Sequence, residues 1–118
     1  MACDPFQNML HFTLHDFEKI DANATGVYGF WYDKHCIYVW KAADQPIRNR
    51  LLQHWHESHN PTLIRWITAK KTALNLAIKT LDDAHDIDIM ERYCIYRYQP
   101  SANKIKPKTQ PVVPSQYA

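Results

Sequence analysis

The sequence predicts an α/β (α+β) domain, a small three-stranded sheet flanked by helices. Three observations carry that prediction. Two short runs rich in β-branched and aromatic residues, 27–32 and 36–40, are joined by the polar connection Asp33-Lys34-His35, the pattern of an antiparallel hairpin. Residues 74–80 alternate apolar and polar as a third strand does, with Leu74, Leu76 and Ile78 on one side. Two further segments, starting near Pro46 and Ile87, space their apolar residues as helices do.

A chain of 118 residues with a 46% apolar share can bury one modest core without staples. The division expected is one domain over residues 1–105 and an extended tail over 106–118, the latter containing Pro107, Pro111 and Pro114 among Lys106 and Lys108. A net charge of +2 permits an anionic partner without demanding one. Cys3, Cys36 and Cys94 are scattered and form no CxxC pair, which reads as reduced thiols in a cytoplasmic protein. The N-terminus lacks a basic stretch followed by an apolar core, and nowhere do about eighteen apolar residues run together, so neither secretion nor a membrane span is expected.

In chain order, Thr13-Leu14-His15-Asp16 resembles a capping box and predicts a brief helix to about Ile20. The hairpin follows the polar turn at 21–26. Asp44 or Gln45 can cap a helix with Pro46 in its first turn, running to about Ser58. On it Ile47, Leu51, Leu52 and Trp55 form one apolar arc, and Arg50 and His54 stack at its border. Asn60-Pro61-Thr62 opens a short helical piece through Trp66. The third strand at 74–80 has a helix as its competitor, because residues 73–81 include good helix formers. Asp86 predicts the cap of a last helix over 87–98, stopped by Pro100. Glu91 falls on the same side of that helix as Ile87, Met90, Cys94, Ile95 and Tyr98. A carboxylate buried there needs a cation, a donor or a water-filled cleft.

Laid out this way, the chain resembles the GIY-YIG nuclease domain. Gly26-Val27-Tyr28 is similar to the first motif and Tyr38-Val39-Trp40 to the second, with the family's usual gap between them. Lys41 follows the second motif directly. Arg50 with His54 one turn on looks like the family's helical pair, and Glu91 and Asn103 look like its metal-binding Glu and the late Asn that braces the site. The resemblance covers roughly residues 13–105. It departs in two places. Trp40 stands where the motif normally has Gly, and Arg50 lies ten residues beyond that position where many members have Arg eight beyond, which here is Arg48.

The resemblance implies a metal-dependent endonuclease that hydrolyses DNA phosphodiester bonds. Catalytic roles fall to Tyr28, Tyr38, Arg50, His54 and Glu91, with Lys41, Arg48, Trp40 and Asn103 on the substrate and Mg²⁺ or Mn²⁺ held by Glu91. Mg²⁺ takes few protein ligands and keeps several waters, so a single carboxylate is enough. Arg offers phosphate a planar two-pronged donor, and Arg50 is preferred to Arg48 because Arg48 falls inside the apolar arc. Tyr28 is the candidate proton acceptor, opposed by a phenol's ordinary pKa of about 10 unless nearby cations favour phenolate. His54, His56 and His59 do not match a zinc-helix spacing.

Each of these residues has an ordinary structural reading as well: packed strand tyrosines, solvated helix charges, a turn asparagine. Only their joint order favours catalysis. The alternatives are a catalytically weakened nucleic-acid-binding module of the same fold and a structural or interaction domain. DNA, branched or single-stranded included, is the expected partner of a monomer or homodimer that does not enter membranes.

Overall fold

The alternating residues read as strands do form strands, and they pair with one more that alternation did not reveal. The structure, a computed structural model, describes residue 6 and residues 9–113. The expectations for Cys3 and for the tail beyond residue 113 lie outside the described residues.

Strand β1 (Met9–His11), helix α1 (Leu14–Phe17), strands β2 (Gly26–Tyr32) and β3 (His35–Ala42), helices α2 (Ile47–His56) and α3 (Pro61–Lys70), a 3₁₀ turn (Lys71–Ala73), strand β4 (Leu74–Thr80) and helix α4 (Ala84–Tyr98) follow in order. The sheet is therefore four-stranded, not three, with order β1-β4-β2-β3 and every neighbouring pair antiparallel. The strand reading of residues 74–80 prevails over the helical one because β4 pairs on both sides, with β1 and with β2.

The period of two along β2 sorts its side chains between two cores. Tyr28 and Phe30 join the core under α1, α2 and α3, with Phe12, Phe17, Ile47, Leu51 and Leu63, whereas Val27 and Trp31 join the core under α4, with Ile87, Met90, Cys94 and Ile95. The hairpin carries an irregularity: Phe30 pairs with Tyr38 but Trp31 pairs with Cys36, leaving Ile37 as the extra residue of a β-bulge. Ile37 and Tyr38 thus both face the α2 core, while Cys36 and Val39 face α4. The bulge sets which way Tyr38 points.

Caps explain where the helices begin. The Thr13 side chain accepts the Asp16 N–H at 3.1 Å, and the Asp16 carboxylate accepts the His11 N–H at 2.7 Å, tying α1 to β1. Asn60 caps α3, which runs on to Lys70 rather than ending at Trp66. Two expected caps are corrected. Pro46 is itself the N-cap of α2, with no side-chain bond, and Asp83, not Asp86, caps α4 by accepting from the N–H groups of His85 and Asp86. Beyond the left-handed Gln99 at the end of α4, residues 100–113 contain neither helix nor strand.

Candidate active site

β3 is an edge strand, and an unpaired edge must be covered or used. Its first half is covered. The N–H groups of Ser101 and Ala102 donate to the carbonyls of Cys36 and Ile37 at 3.4 and 2.7 Å, and the Asn103 amide makes both bonds to Val39, each 2.9 Å. Two residues past that clamp the edge is used: the N–H of Lys41 donates to the carboxylate of Glu91. Glu91 comes from the α4 layer, yet in this way it reaches the rim where Tyr38 and Trp40 emerge from the α2 side. Tyr38, Trp40 and Glu91 line one open cleft of about 700 Å³, together with Arg92, Asn103 and Lys104.

Glu91 is 8% exposed and its Oε2 has no hydrogen-bond partner. Burial lifts its carboxyl to about 7, a rise that Asp88 reinforces and that the charge and N–H of Lys41 and the charge of Arg92 oppose. A buried carboxylate oxygen left without a donor is a place for a cation. Among the described residues no group of three or more His, Cys, Asp or Glu could enclose a metal ion. The donor set therefore fits one hard cation that keeps most of its coordination as water.

Behind Tyr38 lies a buried polar pair. The Tyr28 hydroxyl is 2.9 Å from Nε2 of His54, and the imidazole meets the rings of Tyr28, Phe30 and Tyr38 edge-on at 5.5–5.7 Å between centroids. The helical position four after Arg50 puts His54 there. Burial pushes His54 down to about 4, helped by Arg50 and His59, so the imidazole is neutral at pH 7. Burial also raises both phenols, Tyr28 well above its ordinary value and Tyr38 to about 12; Glu91 adds to both rises and Arg50 opposes them. Arg50 and Glu91 thus act on the same two tyrosines with opposite sign.

Arg50 holds its neighbours loosely. Nη1 is 3.5 Å from Gln53, Nη2 is 3.6 Å from the exposed Asp44, and the buried Nε has no partner. A guanidinium with an unmet donor suits an incoming oxyanion. Arg48, by contrast, is bonded to backbone. Its guanidinium donates to the carbonyls of Phe17 at 3.1 Å, of Glu18 at 3.0 Å and of Ile20, capping the end of α1. Those bonds commit Nε and Nη2 to the backbone. Asn103 is tied to Val39 by both ends of its amide and builds the cleft wall. Lys41 is paired to Asp88 at 2.9 Å, a bond that raises its pKa.

Two solved structures share this architecture. Both are point mutants, with a Tyr replaced by Phe, of the GIY-YIG N-terminal endonuclease domain of UvrC from Thermotoga maritima, and both are bound to the catalytic divalent cation. One matches with a TM-score of 0.59 at 22% identity and the other with 0.58 at 21%; each match covers 79% of this chain and 100% of that chain. This chain has the GIY-YIG fold. No protein-family model matches it, and no curated protein does.

Within the GIY-YIG fold the glycine of the first motif has a visible reason. Gly26 sits at φ +148°, and a Cβ there would lie 2.0 Å from the Lys79 carbonyl oxygen of β4. No such crowding acts on the second motif's last position, where Trp40 turns outward, 40% exposed. Two residues escaped the sequence reading. Ser58 accepts or donates at 3.1 Å to Nδ1 of His54, four positions on from it, and Asp88, one turn before Glu91, bridges Lys41 and Arg92. Helical spacing from the predicted site residues was the only signal for either. No helix among the described residues is long and apolar enough to cross a membrane.

Proposed function

We propose that this protein is a metal-dependent endonuclease that hydrolyses DNA phosphodiester bonds in the cleft between Tyr38, Trp40 and Glu91. One observation carries the reading. Tyr38 and Glu91 line that cleft, and the charges of Arg50 and Glu91 both act on Tyr28 and Tyr38.

A phosphodiester resists water because its anion repels nucleophiles and its leaving alkoxide is poor, so the site must neutralise charge and move a proton. A Mg²⁺ or Mn²⁺ ion held by the bare oxygen of Glu91 would supply charge neutralisation at the phosphate. Arg50 offers its unmet N–H donors to a non-bridging oxygen, and this contact strengthens as negative charge builds. Tyr38, at the cleft wall, orients the attacking water. Tyr28 takes the water's proton while its own passes to the neutral Nε2 of His54, so neither phenol has to exist as a free phenolate. Lys41 stays charged through Asp88, and Trp40 presents an exposed indole face on which a base can stack.

One observation favours a second reading, a nucleic-acid-binding module without cleavage: Tyr28 has no exposed surface. Incubating the protein with supercoiled, branched and single-stranded DNA in Mg²⁺, Mn²⁺ or chelator separates the two. Metal-dependent nicking that disappears in Tyr28→Phe supports the enzyme. Binding that weakens steeply with salt, with no cutting by the wild type, supports the module.

A further inference from the structure

The Tyr28–His54 pair does not end at the imidazole. Nδ1 of His54 lies 3.1 Å from Oγ of Ser58, which is 8% exposed in the connection between α2 and α3. His54 and Ser58 line a second cleft, of about 500 Å³, with His56, Glu57, Thr68 and Lys71. That cleft has no lining residue in common with the one holding Tyr38 and Glu91. Three hydroxyl and imidazole groups in series therefore lead from the buried phenol to a second cleft.

The direction of this chain follows from acidity. A neutral imidazole has one donor nitrogen and one acceptor nitrogen. Two proton arrangements satisfy both bonds: Tyr28 donates to Nε2 while Nδ1–H donates to Ser58, or Ser58 donates to Nδ1 while Nε2–H donates to Tyr28. Like for like, a phenol is a stronger acid than a serine hydroxyl, so the first arrangement is favoured. The groups facing the imidazole are Tyr28, Tyr38, Phe30, Arg50 and His59. None is an anion that would hold a second proton on the ring, and Arg50 repels one.

We propose that Ser58 is a positioning residue, whose hydroxyl accepts the Nδ1 proton of His54 and so fixes the tautomer that leaves Nε2 open to the proton of Tyr28. The inference rests on the reading of Tyr28 and His54 as proton-handling groups. When a proton reaches the Tyr28 oxygen, the proton already there moves to Nε2, the Nδ1 proton moves to Oγ of Ser58, and the Ser58 proton passes to water in the second cleft. One proton enters and one leaves, through the second cleft.

The test is the ¹⁵N chemical shift pattern of the His54 ring in the full chain, without DNA or metal, in wild type, Ser58→Ala and Ser58→Thr. The expected result is a dominant Nδ1–H form in wild type, lost in Ser58→Ala and restored in Ser58→Thr. A dominant Nε2–H form in wild type, or a ratio unmoved by Ser58→Ala, overturns the assignment. On supercoiled DNA with Mg²⁺, Ser58→Ala should lower kcat roughly tenfold with KM unchanged, and Ser58→Thr should recover most of it; an unchanged kcat in Ser58→Ala also overturns it. A wild type that nicks nothing refutes the nuclease reading alone, since the tautomer measurement decides Ser58 without any cleavage.

Discussion

The indole of Trp40 lies flat against the phenol of Tyr38, with ring centroids 5.8 Å apart and planes 8° from parallel. The strand period puts the two side chains on one face, and the bulge at Ile37 aims that face at the cleft. Trp40 is thus a wall that supports Tyr38 and leaves the cleft open. Trp40→Gly should lower plasmid nicking several-fold and cost about 1 kcal/mol for the lost ring pair, before any added strand flexibility. An increase in the nicking rate would mean that the indole obstructs substrate.

Glu91 makes stability depend on pH and on metal. Its folded pKa, raised from 4.5 to about 7, exceeds the unfolded one, so its contribution is fully present below about 4.5 and is lost as pH rises through about 7. Glu91→Gln keeps the shape and removes the charge. In chelator the variant should therefore melt higher than wild type at pH 8, by on the order of 2–3 kcal/mol, and the gap should close toward pH 4.5. Added Mg²⁺ or Mn²⁺ should raise the melting temperature of the wild type only. Equal pH profiles in the two proteins would show that the carboxylate is not strained by burial.

Asp88 tunes that carboxylate. It pairs with Lys41 at 2.9 Å and with Arg92 at 3.4 Å, and its charge is among the causes raising Glu91. Asp88→Asn removes one repelling anion and releases Lys41 and Arg92 to face Glu91. The midpoint of metal-dependent nicking against pH should move to lower pH. A midpoint that stays, or moves up, would show that Asp88 acts mainly by holding Lys41 in place.

Gly26→Ala puts a Cβ 2.0 Å from the Lys79 carbonyl at a φ of +148°. Because β4 is paired on both sides, that carbonyl has little freedom to move away. The substitution should destabilise the fold by more than about 3 kcal/mol, through backbone strain and overpacking together, and a urea unfolding curve reads this directly.

What the sequence showed and what it hid divide by range. The hairpin, β4 and α4 were legible because their patterns are local: β-branched runs around Asp33-Lys34, alternation from Leu74, and the helical spacing of Ile87, Met90 and Cys94. Strand β1 was not legible. Three residues are too few to alternate, and Met9–His11 is a strand only because it pairs with Asn75, Leu76 and Ala77. The sequence favours Arg50 over Arg48 from helical position alone; the bonds of Arg48 to the carbonyl end of α1 were not legible, because they span some thirty positions. In α4 three aspartates stand near the start, and Asp83 caps because its backbone is extended there at ψ 126°, which no residue-type rule reveals. The expected arc of α2 is present, but Leu52 and Trp55 are only half-buried while Ile47 and Leu51 are fully so.

The account depends most on the carboxylate of Glu91 serving hydrolysis. The direct test is the single-turnover rate of supercoiled plasmid nicking in Mg²⁺ at pH 8 by wild type and by Glu91→Ala at equal folded concentration. Metal-dependent nicking by the wild type that falls at least about a hundredfold in Glu91→Ala is the predicted result. Equal rates in the two proteins, or wild-type nicking that persists in chelator, would contradict it.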